Sequence, residues 1–396
     1  MKKILLINDH IHFGGGGDAV LHLERRGLEE KGYEVFTISF GLEQKYTENN
    51  YVLKFNPNRE LEKFNKFIYP SYLKNEFSNV VNSISPDLIH IHLIGKFPLA
   101  VYNSKGLNDI PVIQTLHGPN LFCASSWGGL KNSASCELGI GIKCYSRGCT
   151  NAVNTILYSQ LKARYWNSLK TKINVFHCPS INILNVAKRL GFKNSVYIPL
   201  GIDNEFINEP VEVQKLRPTL LFAGAIAEQK GVQYLLPALQ QVKEKFPDVL
   251  LRIAGRGHLL DKLKNDSKTM RLEENVEFLG FVSHEKIRDF YLSGHIFLMP
   301  SIWQEQFGLV GPEAFACKVP CIGTNVGGIS EWLHHNENGL LIPPKDIDSL
   351  SEAIINLLSN NDKRKQMGEN GRKYAIKNHH PQKYIDSIVN LINRTQ

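Results

Sequence analysis

The 396-residue chain predicts an α/β protein built from two doubly wound parallel-sheet domains. Three observations carry that expectation. Short apolar runs alternate with amphipathic helical stretches through the first half, as in a largely parallel sheet. A turn-rich segment, PLGIDNEFINEP at 199–210, then interrupts the alternation. Beyond it the alternation starts again.

Taken in order, the first strand lies at 3–7, and the glycine run FGGGGD (13–18) follows it. Gly14–Gly17 lack Cβ atoms, so the backbone there can turn sharply and approach a ligand closely. Residues 19–28 have helical spacing, and that helix would aim free N–H groups and partial positive charge at the turn. The run is not a P-loop, because no Gly-Lys-Ser/Thr follows, and contiguous glycines lack the dinucleotide spacing. Alone, it reads equally as a phosphate-binding turn or a plain strand-to-helix connection. Further strands are expected at 34–39, 88–92, 112–115, 174–177 and 196–199. Past the linker, a strand at 219–224, a helix at 232–246 and a strand at 250–254 are expected, then strands at 276–279, 296–299, 320–323 and 339–342. The resulting boundaries are 1–203, 204–377 and a final helix at 378–396 that packs back on the first domain. Two such domains on one linker imply a cleft between them, a preferred ligand site.

Hydrophobic content of 42% and charged content of 21% fit a soluble globular chain. No apolar stretch reaches membrane-span length, and MKKILLIND turns polar too soon for a signal peptide. A cytoplasmic location is the expectation. Residues 1–205 hold 23 Lys+Arg and 16 Asp+Glu, a balance of +7, whereas residues 206–396 hold 23 and 22, a balance of +1. The basic first half favours an anionic partner there: a membrane surface, a lipid-linked phosphate or nucleic acid. A solvated basic surface is the plain alternative. Recognised nucleic-acid modules are missing, so no nucleic-acid partner is expected.

The most informative segment is WQEQFGLVGPEAFACKVPCIGTNVGGISEWL at 303–333, where seven residues separate Glu305 from Glu313. If a helix starts at Gly308, Glu305 precedes it and Glu313 lies about a turn and a half inside. Other pieces fall in order: FAGAIAEQKG (222–231), IAGRGHLLDKL (253–263), VEFLGFVSHEKI (276–287), FLMPS (297–301), GGISEWLHHNENGLLIPPKD (327–346), and, in the first half, DLIHIH (87–92), QTLHG (114–118) and PLGID (199–203). Together these resemble the retaining GT-B glycosyltransferases of family 4 and cover nearly the whole chain.

The resemblance implies two Rossmann-like domains facing a central cleft. The N-terminal one would bind the acceptor and the C-terminal one a nucleotide-diphosphate sugar, a UDP- or GDP-sugar. It implies transfer of the sugar to an acceptor hydroxyl with retained configuration and no catalytic metal; no Asp-x-Asp metal motif is evident. Glu305 would contact the donor sugar and Glu313 the ribose, with Phe307, Gly308 and Leu309 between them at the donor. Of the four glycines, Gly16 and Gly17 would meet the diphosphate. Lys230 matches the family's phosphate-binding lysine, and His117 its histidine beside the donor sugar. Gly280 and Val282 belong to a base-binding loop, in which Phe281 reads equally as a core residue. The leaving diphosphate gains negative charge as the glycosidic bond breaks, so preplaced positive charge would stabilise it. One position departs: Ala225 stands where the family often has an arginine, five residues before the lysine. His90 and His92 lie on one strand and are expected to face opposite sides, one lining the acceptor cleft and one packed.

Cys123, Cys136, Cys144 and Cys149 cluster in the Gly- and Ser-rich segment at 123–149. Four thiolates could hold a structural zinc, though the tight C-x2-C knuckles are missing; disulfides and free thiols are the other readings. Cys178, Cys317 and Cys321 read as small core residues. Residues 61–77, LEKFNKFIYPSYLKNEF, interleave aromatic residues with lysines, like an interfacial helix broken at Pro70, with Arg164, Tyr165, Trp166 and Lys170 adding to that face. Such a face would dock the enzyme peripherally on an anionic inner-membrane surface carrying a glycan or lipid-linked acceptor. The plain alternative is a core helix with solvated lysines. Surface polysaccharide or glycolipid synthesis is the leading reading. The alternatives are a sugar-nucleotide epimerase or phosphorylase of the same fold, and a non-catalytic partner-binding protein of that shape.

Overall fold

The computed structural model describes residues 1–9, 15–41, 43–54, 71–94, 101–118, 142–146, 148–149, 151–209 and 216–395. The chain divides into two units, Met1–Gly201 with Gln382–Gln396, and Ile202–Pro381.

In the first unit the elements run β1 (Lys3–Ile7), α1 (Gly16–Glu30), β2 (Glu34–Gly41), β3 (Lys45–Tyr46), β4 (Asn50–Lys54), α2 (Ser71–Ile84), β5 (Leu88–Ile91), β6 (Val112–Thr115), α3 (Lys143–Ser146), α4 (Ala152–Lys172), β7 (Val175–Cys178), α5 (Ile181–Arg189) and β8 (Ser195–Tyr197). They form an eight-stranded sheet in the order β3-β4-β2-β1-β5-β6-β7-β8, parallel except where β3 meets β4. Ile4–Ile7 and Leu88–Ile91 are buried throughout. Parallel strands are covered on both faces, so they read as unbroken apolar runs. β3 and β4 escaped the sequence reading. Lys45 and Tyr46 are exposed and Leu53 is the one buried residue of β4, so this edge carries little apolar signal.

α1 lays Val20, Leu21, Leu23 and Leu28 against the core, and Glu24 shares that stripe with no exposed surface. α2 buries Leu73 and Phe77 in the same core. Residues 61–70 of the expected interfacial helix lie outside the described residues; of the remainder, Phe77 is core and Tyr72 is exposed. Trp166 packs edge-on against Phe192, with the Lys170 ammonium near both rings. Trp166 is half-buried and packs its ring against the core beside Phe192.

The second unit runs β9 (Thr219–Ala223), α6 (Leu235–Lys245), β10 (Leu250–Ala254), α7 (Leu260–Thr269), β11 (Val276–Gly280), α8 (His284–Leu292), β12 (Ile296–Met299), α9 (Val310–Ala316), β13 (Cys321–Thr324), β14 (Gly339–Ile342), α10 (Ile347–Ser359) and α11 (Asn361–His379). Its six strands are all parallel, in the order β11-β10-β9-β12-β13-β14. Cys178, Cys317 and Cys321 are buried, and burial pushes the Cys178 and Cys317 thiols up to about 12. They are packing groups, as expected from the sequence.

The last helix, α12 (Pro381–Thr395), belongs to the first unit from Gln382 onward. A Cβ on Gly27 of α1 would lie 2.4 Å from Ile385 Cγ1, so the missing side chain lets α12 close onto α1. Among the described residues, no helix is long and apolar enough to cross a membrane.

Candidate active site

In the second unit two loops are joined at the C-terminal ends of neighbouring strands. After β9 comes the 3-10 turn Glu228–Lys230, and after β12 the segment leading to Glu305. Ile302 N–H donates to Gln229 O at 2.9 Å. Gly231 sits at φ +70°, and a Cβ there would fall 1.7 Å from Pro300 O. Only glycine permits that approach.

The result is an ion pair. Lys230 Nζ donates to Glu305 Oε1 at 2.6 Å, and Ser301 Oγ donates to the same oxygen at 2.8 Å. Lys230 also lies 4.9 Å from the Trp303 ring centroid. Glu305 is buried, which works to raise its carboxyl, but the Lys230 ammonium together with hydrogen bonding from Trp303 and Ser301 holds it below the ordinary value. It is thus an ionised acceptor. Gly328 N–H donates to Glu305 O at 2.8 Å, and Gly327, at φ +57°, has room for no Cβ beside the Glu305 backbone.

The segment between the two glutamates is locked by Trp332. Its Nε1–H donates to Phe307 O at 2.7 Å, and a Cβ on Gly311 would lie 2.0 Å from its ring. Gly308 has φ +82°, and the helix begins at Val310 rather than at Gly308. Glu313 therefore sits about one turn into α9. Phe307 and Leu309 are buried, Phe307 against His379. What this stretch can offer a ligand is backbone N–H rather than side chain. Arg372 of α11 secures the far end of α9 by donating to Ala316 O.

Glu313 accepts from Tyr291 OH at 2.7 Å. Burial pushes its carboxyl up to about 7, against the Tyr291 hydrogen bond and His284, which pull it down. Because the native value lies above the ordinary 4.5, the folded unit holds a proton that the unfolded chain has released. This stability is complete below about 4.5 and is lost as pH rises to about 7, a change of about 3 kcal/mol. Urea unfolding of wild type and Glu313→Gln across that window should show the slope in the former and its flattening in the latter. An unchanged slope in the variant would remove Glu313 as its source.

Gly280 closes β11 at φ +67° and accepts from Gly255 N–H at 2.7 Å. Val282 follows in the connection to α8. Phe281 is 45% exposed, with the Arg256 guanidinium 5.4 Å from its ring centroid. It is a surface residue; the core alternative is set aside. At Ala225, the position of the departure, the carbonyl accepts from Ala227 N–H.

In the first unit, Gly16 and Gly17 form the first turn of α1, where N–H groups lack intrahelical partners. Gly14 lies outside the described residues. A Cβ on Gly17 would lie 3.7 Å from His117 Cγ and 3.9 Å from its Nδ1, so two expected site residues meet here. His117 stands two residues beyond β6 and is half-buried.

Behind His117 lies a cluster that the sequence reading did not assemble. Glu24 of α1 meets His90 Nδ1 through Oε1 at 2.5 Å. Its Oε2 accepts from Tyr384 OH at 3.0 Å and lies 3.4 Å from His92 Nε2. His92 Nδ1 is 3.0 Å from His117 Nε2. His90 Nε2 contacts Thr115 Oγ1 at 2.7 Å, which contacts His177 Nδ1 at 2.8 Å, and His177 Nε2 donates to Ile198 O at 2.8 Å. Burial works to raise the Glu24 carboxyl, but His90 and His92 together hold it well below the ordinary range. The sequence clue was the position of Glu24, a carboxylate on the apolar stripe of α1.

The expectation that His90 and His92 face opposite sides is corrected. Residues two apart on a strand share a face, so alternation itself puts both rings on one side. Both rings are buried with centroids 4.4 Å apart, and both address Glu24. Among the described residues, Glu24, His90 and His92 are the group whose ligand atoms lie close enough to ring a metal ion. Those atoms are instead engaged with one another. Of the four clustered cysteines, Cys123 and Cys136 lie outside the described residues. Cys144 and Cys149 are linked through the backbone, Cys149 N–H donating to Cys144 O at 2.9 Å.

Comparison with known proteins follows the same division. The family model for glycosyl transferases group 1 matches residues 203–374, and that for glycosyltransferase family 4 matches residues 14–206. An uncharacterised glycosyltransferase of Methanocaldococcus jannaschii is 28% identical over 383 residues, covering 95% of this chain and 94% of that protein. The N-acetyl-alpha-D-glucosaminyl L-malate synthase of Bacillus anthracis is 24% identical over 399 residues, covering 99% and 97%. Among solved structures, sucrose-phosphate synthase of Thermosynechococcus elongatus superposes with a TM-score of 0.77 at 18% identity, covering 100% of this chain and 99% of that one. Anabaena HepE in complex with UDP-glucose gives 0.75 at 17% identity, with both chains fully covered.

Proposed function

The chain belongs to the GT-B glycosyltransferases of family 4, and from that premise we propose that it moves a sugar from a nucleotide-diphosphate donor to an acceptor hydroxyl with retention of configuration. The observation that carries this reading is the Lys230–Glu305 pair, fixed by two glycine-dependent loop contacts. Lysine has three N–H donors. Glu305 occupies one, which leaves two to meet a diphosphate oxygen as its charge grows. Glu305 is held ionised and can accept from sugar hydroxyls, while Glu313 accepts from the ribose diol. Anabaena HepE, similar in fold, binds UDP-glucose, which favours a UDP-sugar over a GDP-sugar as the first donor to try. The acceptor we propose is a glycan or a lipid-linked hydroxyl, in keeping with the +7 balance of the first 205 residues.

The test is a thermal-shift panel of UDP, GDP, ADP and their sugar conjugates, run beside an assay of sugar release. A nucleotide at about 100 times its Kd should add roughly 2.7 kcal/mol of stability. Glu313→Ala should abolish that shift and the release while the chain stays folded. Near-normal turnover in this variant would sink the ribose contact, and no shift with any nucleotide would sink the donor site.

A further inference from the structure

We infer that Glu24 and His92 are positioning residues that fix His117 as its Nε2–H tautomer, so that Nδ1 presents a lone pair and recognises a hydroxyl donor rather than a phosphate or carbonyl oxygen. The inference rests on the donor reading above only in naming a sugar as the source of that hydroxyl.

The argument follows hydrogen-bond direction. An ionised carboxylate only accepts, so every group touching Glu24 must donate. His90 Nδ1–H and Tyr384 O–H do so at 2.5 and 3.0 Å. The third contact, from His92 Nε2 at 3.4 Å, is long and outside good alignment. Yet that nitrogen is buried and faces an ionised carboxylate oxygen; a bare ring nitrogen there would oppose lone pair to lone pair, so the proton sits on Nε2. A proton on His92 Nε2 leaves Nδ1 bare in the neutral ring. The 3.0 Å contact to His117 Nε2 must then run from His117 to His92. His117 therefore keeps its proton on Nε2, and its Nδ1 is the acceptor beside the first turn of α1 at Gly17.

A neutral His117 is required, and its surroundings supply one. Burial, then His92, His177 and His90, press its pKa well below the usual value, while Glu24 pulls the other way. His92 is likewise lowered, by burial first. The charged and titratable groups facing the pair are Glu24 and Asp18 from α1, His90 from β5, His177 from β7 and Tyr384 from α12. The opposite branch stabilises the same arrangement. His177 Nε2–H donates to a carbonyl, so its Nδ1 accepts from Thr115, whose oxygen in turn accepts from His90 Nε2–H. His90 thus donates from both nitrogens and stays committed to Glu24.

The test is nitrogen-15 spectroscopy of histidine side chains in the labelled full-length chain, with His117 assigned by the signals lost in His117→Gln. The expected result between about pH 6 and pH 8 is a protonated Nε2 and an unprotonated Nδ1. A His117 protonated on Nδ1, or on both nitrogens, overturns the inference without any further variant. His92→Leu, lacking the acceptor, should give mixed tautomers and lower turnover of UDP-glucose, GDP-mannose or ADP-glucose by about 10- to 100-fold, chiefly in kcat. His92→Gln, whose carboxamide oxygen can take the same hydrogen bond, should restore the single tautomer and most of the rate. A single tautomer and full rate in His92→Leu would overturn the role of His92. The expected tautomer in a chain that turns over none of the three nucleotide sugars would support this inference while sinking the donor reading.

Discussion

Glu24→Ala is expected to destabilise the first unit by roughly 3–5 kcal/mol, the cost of breaking a buried ion pair by removing one partner. The carboxylate has no exposed surface and takes contacts from His90, His92 and Tyr384, which come from β5, the loop after it and α12. Alanine would strand two imidazole N–H groups and a phenol in the core, each losing its acceptor. The earliest thermal transition of the full chain should fall by on the order of 10 °C. Glu24→Gln keeps the shape and part of the bonding, so it should cost less. A Glu24→Ala chain within about 1 kcal/mol of wild type would mean that the network organises nothing.

The same cluster sets the acid response of that unit. Burial pushes His177 down to about 4 from an ordinary 6.5, so the unfolded chain binds its proton first as pH falls. Stability contributed by neutral His177 is present above 6.5 and is lost as pH falls to about 4. Glu24, depressed below the ordinary 4.5, adds stability that is lost only at lower pH still. Glu313 in the second unit has the opposite sign. Mild acid therefore weakens one unit while it strengthens the other.

What the sequence made legible follows from where the information sits. Central parallel strands such as KILLI are buried on both faces, so their apolar runs announce them without any partner. The motif residues 303–333 are contiguous, and their order along the chain carried the family. The edge pair β3–β4 was illegible because half its side chains face water. The Glu24 cluster was illegible for another reason: its members are separated by 66, 25 and 360 positions, and only the folded sheet brings them together. Alternation along the strand in fact puts His90 and His92, two residues apart, on one face, so the expectation of opposite sides misapplied it. Lys230 and Glu305 were each marked by motif, but their direct contact over 75 positions is a tertiary fact.

That contact carries the second large effect. Lys230→Ala should lower donor turnover by a factor of about 10² to 10³, the usual loss when a preplaced charge at a developing anion is removed. The lysine has two separable jobs, neutralising Glu305 and meeting the diphosphate, and a double-mutant cycle with Glu305→Gln tells them apart. In wild-type background Lys230→Ala leaves the Glu305 carboxylate, 5% exposed, without its cation and with only neutral donors such as Ser301, at a cost of about 1–3 kcal/mol in stability. In the Glu305→Gln background there is no buried charge to strand, so the same change should cost little. Turnover should behave differently. With Glu305→Gln in place, Lys230→Ala should still lower the remaining rate, because the leaving diphosphate has lost its cation whether or not residue 305 is charged. If Lys230→Ala instead leaves that remaining rate unchanged, the lysine serves Glu305 alone and the diphosphate is met by some other group.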